Sequence, residues 1–418
     1  MASNGVNVLN RFGFSVLGGV LIVALTACGP PTPAGIETEF VDSAGITIAV
    51  SPEFPKHEAG GWILDQMPAF SIGVLDGDPD YQFYQVSGAL KLSDGRIAVT
   101  DIGTRQLRFF SQDGTFQAGF GREGEGPGEF QDIRIMGTLG SDTVVVLDGR
   151  QRRTSRFHPD EGFLGQTVLP EEAGVAMHSN GMFGDGAIVF GGLINWDRGD
   201  DTPLAGYERL TNPFHSVSLN GSGIVNFGEF PGTEIMWTTG MADGRETLAA
   251  AFVLFGLSPR AHARGGRLAL STRDRYEILV FDPGANLERV IRVDTEPVAV
   301  TRAHLEGLLE ERLANLPSQD LAPGVRAGFW DTPHAEVMPA FESLFQDSEG
   351  YIWVEDKNLP GDTLRTWTVF PGEGVPVTRL SLPRSNRVLD IGPDYVLTSF
   401  EDELGVEYVR EYRLTRGG

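Results

Sequence analysis

The feature that most constrains how this 418-residue chain can fold is a short pattern that returns six times. Each copy is a turn built on Gly or Asp followed by an apolar strand. The copies are residues 94–101 (DGRIAVTD), 141–148 (SDTVVVLD), 184–190 (GDGAIVF), 265–271 (GGRLALS), 349–356 (EGYIWVED) and 392–398 (GPDYVLT). Most are followed by further β-type runs with turns between them. Residues 107–110 lead to a turn at Asp113-Gly114, 276–281 to one at Asp282-Pro283-Gly284, and 365–370 to one at Pro371-Gly372. Short strands punctuated by Gly, Asp and Pro read as antiparallel meanders. A supersecondary unit repeated at a fixed period stacks on its own copies to bury its faces. Four strands per unit and six units predict an all-β, six-bladed β-propeller of four-stranded antiparallel blades.

The spacing carries two exceptions. Neighbouring copies start 43 to 47 residues apart, except that the third-to-fourth and fourth-to-fifth intervals are about 80. Residues 191–212 read as a long polar loop inserted in the first of these. The second, near 301–340, holds one inserted helix over 301–316, with Thr301 as N-cap and a stripe of Leu305, Leu308, Leu309, Leu313 and Leu316. Counting the long intervals as extra blades is the competing architecture. The sixth unit ends after three strands, and an unpaired ring edge invites aggregation. The N-terminal stretch 36–50 is therefore expected to complete the last blade.

Residues 14–27 (FSVLGGVLIVALTA) form an apolar run of 14, shorter than the ~20 needed to span a bilayer, and Arg11 precedes it. It ends in Leu25-Thr26-Ala27-Cys28, which matches a lipobox. The expected organisation is a signal peptide at 1–27, a lipidated Cys28 with a tether to residue 35, and one propeller domain over 36–418. Cys28 is the chain's one cysteine, so no intramolecular disulfide exists. The net charge of −24 argues against nucleic acid as a partner and against electrostatic binding to anionic lipid. Membrane attachment would rest on the lipid alone. The resemblance of this motif to bacterial lipoproteins implies, with Gly29 rather than Asp after Cys28, the outer membrane or the periplasmic face of the envelope.

The connection after the first unit, residues 119–130 (GFGREGEGPGEF), resembles the NHL repeat with its glycine-punctuated link between blades. The stretch from Val41 to Glu407 is similar to bacterial six-bladed propeller lipoproteins. The resemblance implies a fold and a location outside the cytoplasm. It does not imply an activity, because propellers host many functions.

Sites of chemistry are sparse. There is no G-x-S-x-G elbow, no H-x-H and no H-E-x-x-H. The seven histidines are isolated. His178 and His262 each precede the turn of their copy, where an innermost strand facing the channel is expected. The resemblance implies lyases in which channel histidines hold a metal, so these two are the candidate metal ligands. Two ligands fall short of the three or four that zinc takes. Acidic turns at 76–80 and 197–201 lack the spacing of a calcium loop. No cofactor is therefore expected, with Ca or Zn as the alternative. Trp196, Trp237, Phe329 and Trp330 lie in the two long intervals. They are either a ligand-binding surface or residues that pin the insertions to the ring. The reading is a monomeric, lipid-anchored binding or scaffold module for an envelope protein, a peptide or a glycan. The alternative is a metal-dependent propeller enzyme of lyase or lactonase type.

Overall fold

A computed structural model of the protein describes residues 36–140, 142–171, 178–191, 206–242, 245–316 and 318–417. Cys28 and Trp196 lie outside the described residues, as do the acidic turn at 197–201 and most of the expected polar loop. The chain opens with β1 (Glu39–Ser43), β2 (Ile46–Ser51), β3 (Ile63–Leu64) and β4 (Phe70–Ile72). Blade one is β5 (Val86–Lys91), β6 (Ile97–Asp101), β7 (Gln106–Phe110) and β8 (Phe116–Phe120). Blade two is β9 (Arg134–Leu139), β10 (Thr143–Asp148), β11 (Arg153–His158) and β12 (Gly162–Val168). Blade three is β13 (Ser179–Phe183), β14 (Ile188–Gly191), β15 (Gly206–Val217), β16 (Ile224–Ala242) and β17 (Arg245–Phe252). Blade four is β18 (Arg260–Gly265), β19 (Arg267–Ser271), β20 (Glu277–Phe281) and β21 (Leu287–Val293). Two helices follow, α1 (Arg302–Ala314) and α2 (Ala322–Phe329). Blade five is β22 (Ser343–Gln346), β23 (Ile352–Glu355), β24 (Leu364–Phe370) and β25 (Thr378–Pro383). Blade six is β26 (Asn386–Ile391), β27 (Tyr395–Glu401) and β28 (Glu407–Thr415).

Each of the six sequence copies supplies the second strand of one blade. That strand is flanked by its own sheet's neighbours and covered on both faces by adjacent blades. Hence β6 and β23 are buried along their whole length, and Val144-Val145-Val146-Leu147 is apolar on every residue rather than on alternate ones. Six apolar clusters fill the six gaps between blades. Phe109 and Leu107 meet Phe130 and Phe157 between blades one and two. Val145 and Leu147 meet Ile188 and Phe190 between two and three, and Phe214 and Phe230 meet Leu268 and Phe281 between three and four. Tyr276 and Ile291 meet Phe341 and Phe370 between four and five. Trp353 and Trp367 meet Tyr412 and Leu414 between five and six, and Leu397 and Val409 meet Ile97 and Phe110 between six and one. Six interfaces for six blades make a closed six-bladed β-propeller.

The seam is closed by a different segment from the one expected. Residues 36–50 do not complete blade six. β1 and β2 form a hairpin whose β2 runs parallel to β21, on the outside of blade four. Blade six receives β4 and β3 instead, through Val409↔Ile72 and Leu414↔Leu64. The exchange has a packing reason. Trp62, Leu64 and Ile72 are buried among the aromatics of the seam, whereas β1 is exposed along its length.

Two further expectations need correction. Residues 206–212 belong to β15, not to a loop, and pair with β16 from Gly206↔Trp237 onward. The second interval carries two helices rather than one. α1 starts where expected: Thr301 Oγ1 accepts the His304 N–H, and the His304 side chain answers the Thr301 N–H. Leu305, Leu309 and Leu313 are its buried face.

Candidate functional site

Innermost strands of a propeller all run the same way round the channel, as the parallel pairing of β13 with β18 shows directly. Their first residues therefore share one mouth of the channel and their last residues share the other. Blades three and four touch at the centre because Gly181 carries no side chain. Its φ is +91°, and a Cβ there would lie 2.2 Å from the Ala263 carbonyl oxygen.

Both insertions sit at the mouth where the inner strands begin. The chain leaving β17 hydrogen-bonds to the helical insertion: Leu254 N–H donates to the Pro333 carbonyl, and Ala335 N–H donates to the Leu254 carbonyl. Leu254 packs with Leu305, Leu309, Leu313 and Phe329, so the two insertions share a small core. Glu311 of α1 takes a two-point ion pair from Arg384, at 2.7 and 3.3 Å, between blades five and six. Gly307 lets α1 close on Pro360, whose Cβ would lie 2.5 Å from any Cβ at that position. The result is a cap seated over part of the mouth. Beneath it lies a cavity of about 1370 Å³, above the ~300–1,000 Å³ of a drug-sized site.

Among the described residues, eight arginines, one lysine and four carboxylates line this cavity. The far mouth is internally neutralised. Arg264 pairs with Asp390 at 2.7 Å, and the same carboxylate accepts from the Lys91 N–H and the Tyr395 hydroxyl. Burial pushes the Tyr395 phenol far above its ordinary range, so it stays a donor.

The capped mouth is different. Arg134 opens β9, Arg260 opens β18, Arg387 is the second residue of β26, and His178 immediately precedes β13. Among the described residues neither Arg260 nor Arg387 forms an ion pair. Arg260 donates to the carbonyls of Glu342 and Pro259, each at 3.2 Å. Arg387 donates to Ser399 Oγ and the Val86 carbonyl. Burial lowers the pKa of both, opposed at Arg260 by Glu342 and Glu355 and at Arg387 by Glu407, while Arg134 and Arg365 add repulsion at Arg387. Arg273, held by the carbonyls of Ser258, Phe341 and Glu342, is lowered to about 9 by burial and by Arg260.

His178 and His262 both line this cavity. Among the described residues no group of three or more His, Cys, Asp or Glu is placed to hold a metal ion. The Gln346 N–H donates to His262 Nδ1 at 3.1 Å, so the neutral ring carries its proton on Nε2. A metal on Nε2 would move that proton to Nδ1, against a backbone N–H. The ring also stacks on Phe345, 4.2 Å between centroids, and burial then Arg264 lower its pKa to about 3. His178 is lowered by burial, then by Arg134 and Arg260. The acidic turn at 76–80 is structural: Asp78 Oδ1 accepts the Asp80 N–H and caps a short 3-10 turn.

Of the aromatic candidates, Trp237 is buried in the β15–β16 ribbon, its Nε1 donating to Glu208 at 2.7 Å. Phe329 is buried under the cap, and Trp330 is 47% exposed with Arg302 over its ring. Trp237 packs with Leu210 and Ile235, and Phe329 with Leu254 and Leu305, so both help to hold the insertions together. The glycine-rich link is likewise structural. Gly121 has φ +100° and a Cβ there would lie 2.6 Å from the Arg105 carbonyl, while Phe130 fills the gap between blades.

The arginines were the residues missed from sequence. Their signal was present: Arg134, His178, Arg260, Glu342 and Arg387 each stand five to seven residues before the turn of their copy.

A family model described as a 6-bladed beta-propeller matches residues 80–176. Among solved structures, a member of the duf4221 family from Bacteroides vulgatus is similar at 9% identity, with a TM-score of 0.46, covering 85% of this chain and 99% of that one. Virginiamycin B lyase from Staphylococcus aureus is similar at 10% identity, with a TM-score of 0.37, covering 85% and 99%. Regucalcin from Agrobacterium tumefaciens, a calcium-binding protein, is similar at 11% identity, with a TM-score of 0.34, covering 81% and 93%. No curated protein matches the chain. These similarities carry neither a ligand nor an activity over to this chain.

Proposed function

We propose that the protein is a ligand-binding propeller whose site is the capped mouth of its channel. It would work outside the cytoplasm and be held to the envelope by lipid on Cys28. The observation that carries the reading is the 1370 Å³ cavity, walled by inner strands of the ring and partly roofed by two insertions that share a core. Insertions carried by a rigid scaffold are where binding residues concentrate. A folded cap costs chain entropy, and a ligand that it helps to enclose offsets that cost. Export and anchoring rest on the 14-residue apolar run and the Leu25-Thr26-Ala27-Cys28 motif.

The test is a thermal-shift screen of saccharides, peptides and small metabolites, with each hit mapped by hydrogen exchange. Hits are expected to protect residues 254–264 and 302–316. Hits that protect only the outer blade edges would refute the assignment of the site.

A further inference from the structure

The capped mouth carries more than a volume; it carries a charge opposite to that of the molecule. The chain's net charge is −24, so its surface at large is acidic. The cavity reverses this, with nine cationic side chains against four carboxylates among the described residues. Several of the cations are satisfied within the fold: Lys91 by Glu411 at 2.9 Å, Arg264 by Asp390 at 2.7 Å, Arg365 by Glu355 at 3.1 Å and Arg384 by Glu311 at 2.7 Å. Arg273 is satisfied by three backbone carbonyls.

Arg312, on α1, lies over the Phe329 ring. Arg134, Arg260 and Arg387, the three cations at the rim where the inner strands begin, remain. They come from blades two, four and six, so they approach the mouth from three directions. Arg134 spends its Nε on Asp132 at 3.2 Å and is 51% exposed. Arg260 and Arg387 pair with no carboxylate, and each keeps one terminal nitrogen without a hydrogen bond among the described residues. Ser87 stands at the corresponding place in blade one, His178 in blade three and Glu342 in blade five. Glu342 and Glu355 partly offset Arg260, and Glu407 partly offsets Arg387, none of them within ion-pair distance among the described residues. Like charges held together under a cap raise the energy of the empty site, and an anion relieves it. The guanidinium fork matches carboxylate and phosphate oxygens in two-point contacts, and reduced dielectric strengthens those contacts.

We propose that Arg134, Arg260 and Arg387 form a receptor for a compact small molecule bearing two or more carboxylate or phosphate groups. This rests on the capped mouth being the ligand site and specifies what the ligand carries. Neutral compounds of the same size are rejected because they leave the rim guanidiniums without a counter-charge.

The experiment is calorimetric titration of the full chain in detergent with citrate, inorganic pyrophosphate, acetate and maltotriose, at about 0.02 and 0.15 M salt. Citrate or pyrophosphate binds, more weakly at the higher salt, and acetate and maltotriose do not. Binding of citrate alone assigns carboxylates, and of pyrophosphate alone assigns phosphates. R260Q and R387Q each weaken the binding by on the order of tenfold or more, and R122Q, on the link between blades one and two, leaves it unchanged. R260K and R387K preserve charge without the fork and keep part of the affinity, which guards against a variant that fails to fold. Polyanions that do not bind, or that bind equally well to R387Q, overturn the inference. Maltotriose that binds and protects the cap would overturn it too, while leaving the binding function standing.

Discussion

Arg416 holds the ring shut, and its removal is the most direct test of how the seam works. It lies just beyond β28 and reaches across to blade five. Its Nη2 donates to Asp347 Oδ2 at 2.8 Å and to the Gly392 carbonyl at 2.6 Å, and its Nε donates to the Pro393 carbonyl at 2.8 Å. The guanidinium also lies over the rings of Trp62 and Tyr351, 4.9 Å from each centroid. Asp347 is fully buried and keeps three other donors: the N–H groups of Glu349 and Tyr351 and the Trp353 indole. Removing one partner of a buried ion pair costs ~3–5 kcal/mol when nothing else meets the orphaned charge. The three remaining donors to Asp347 reduce that to about 2 kcal/mol, and the lost stacking adds about 1 kcal/mol. R416A should therefore lose about 3 kcal/mol in urea unfolding, followed by tryptophan fluorescence, since Trp62 and Trp353 sit at the seam. The double variant R416A/D347N should lose less than the sum of its singles, because the charge that was stranded is gone. A loss below about 0.5 kcal/mol for R416A, or strict additivity, would refute the seam argument.

Further outcomes follow from the same structure. Gly121→Ala places a methyl against the Arg105 carbonyl at φ +100°, and should cost about 2–4 kcal/mol by chemical denaturation. Thr301→Ala removes the N-cap of α1 and should cost about 1 kcal/mol, seen first as faster hydrogen exchange in residues 302–316. His262 has a folded pKa of about 3, below its unfolded value near 6.5. The unfolded chain therefore binds the extra proton first, so stability is complete above about pH 6.5 and falls as pH drops toward 3. His262→Gln, which can still accept from Gln346, should flatten that decline by a few kcal/mol between pH 7 and 4, measured as urea midpoints. Cys28→Ser should move the protein from the membrane fraction to the soluble fraction; retention in the membrane would refute lipid anchoring.

The six-fold repeat was legible because each copy sits in the same place. A strand covered on both faces must be apolar throughout, and its turn must tolerate a tight reversal, so the six second strands look alike in one dimension. The N-cap at Thr301 and the leucine face of α1 were legible for the same local reason. The seam was not. Stretch 36–50 reads as strands in need of a blade, and packing gives the seam to 63–72 instead: Trp62, Leu64 and Ile72 find an aromatic gap between blades, while β1 finds none. For Trp237 and Phe329 the choice between a ligand surface and a pin for the insertions stayed open, because sequence does not say which side of an insertion faces its neighbour.

The site shows the division most sharply. Sequence alone determined a ring of six β units and a net acidic chain, because periodicity and charge are properties read along the chain. Tertiary structure decided where the cations meet. Arg134, Arg260 and Arg387 are 126 and 127 residues apart in sequence, yet ring closure brings the starts of their strands to one mouth. It also left Arg260 and Arg387, in a chain rich in carboxylates, with no ion pair among the described residues. Charge pairing depends on distances through space, and those distances exist only once the ring has closed.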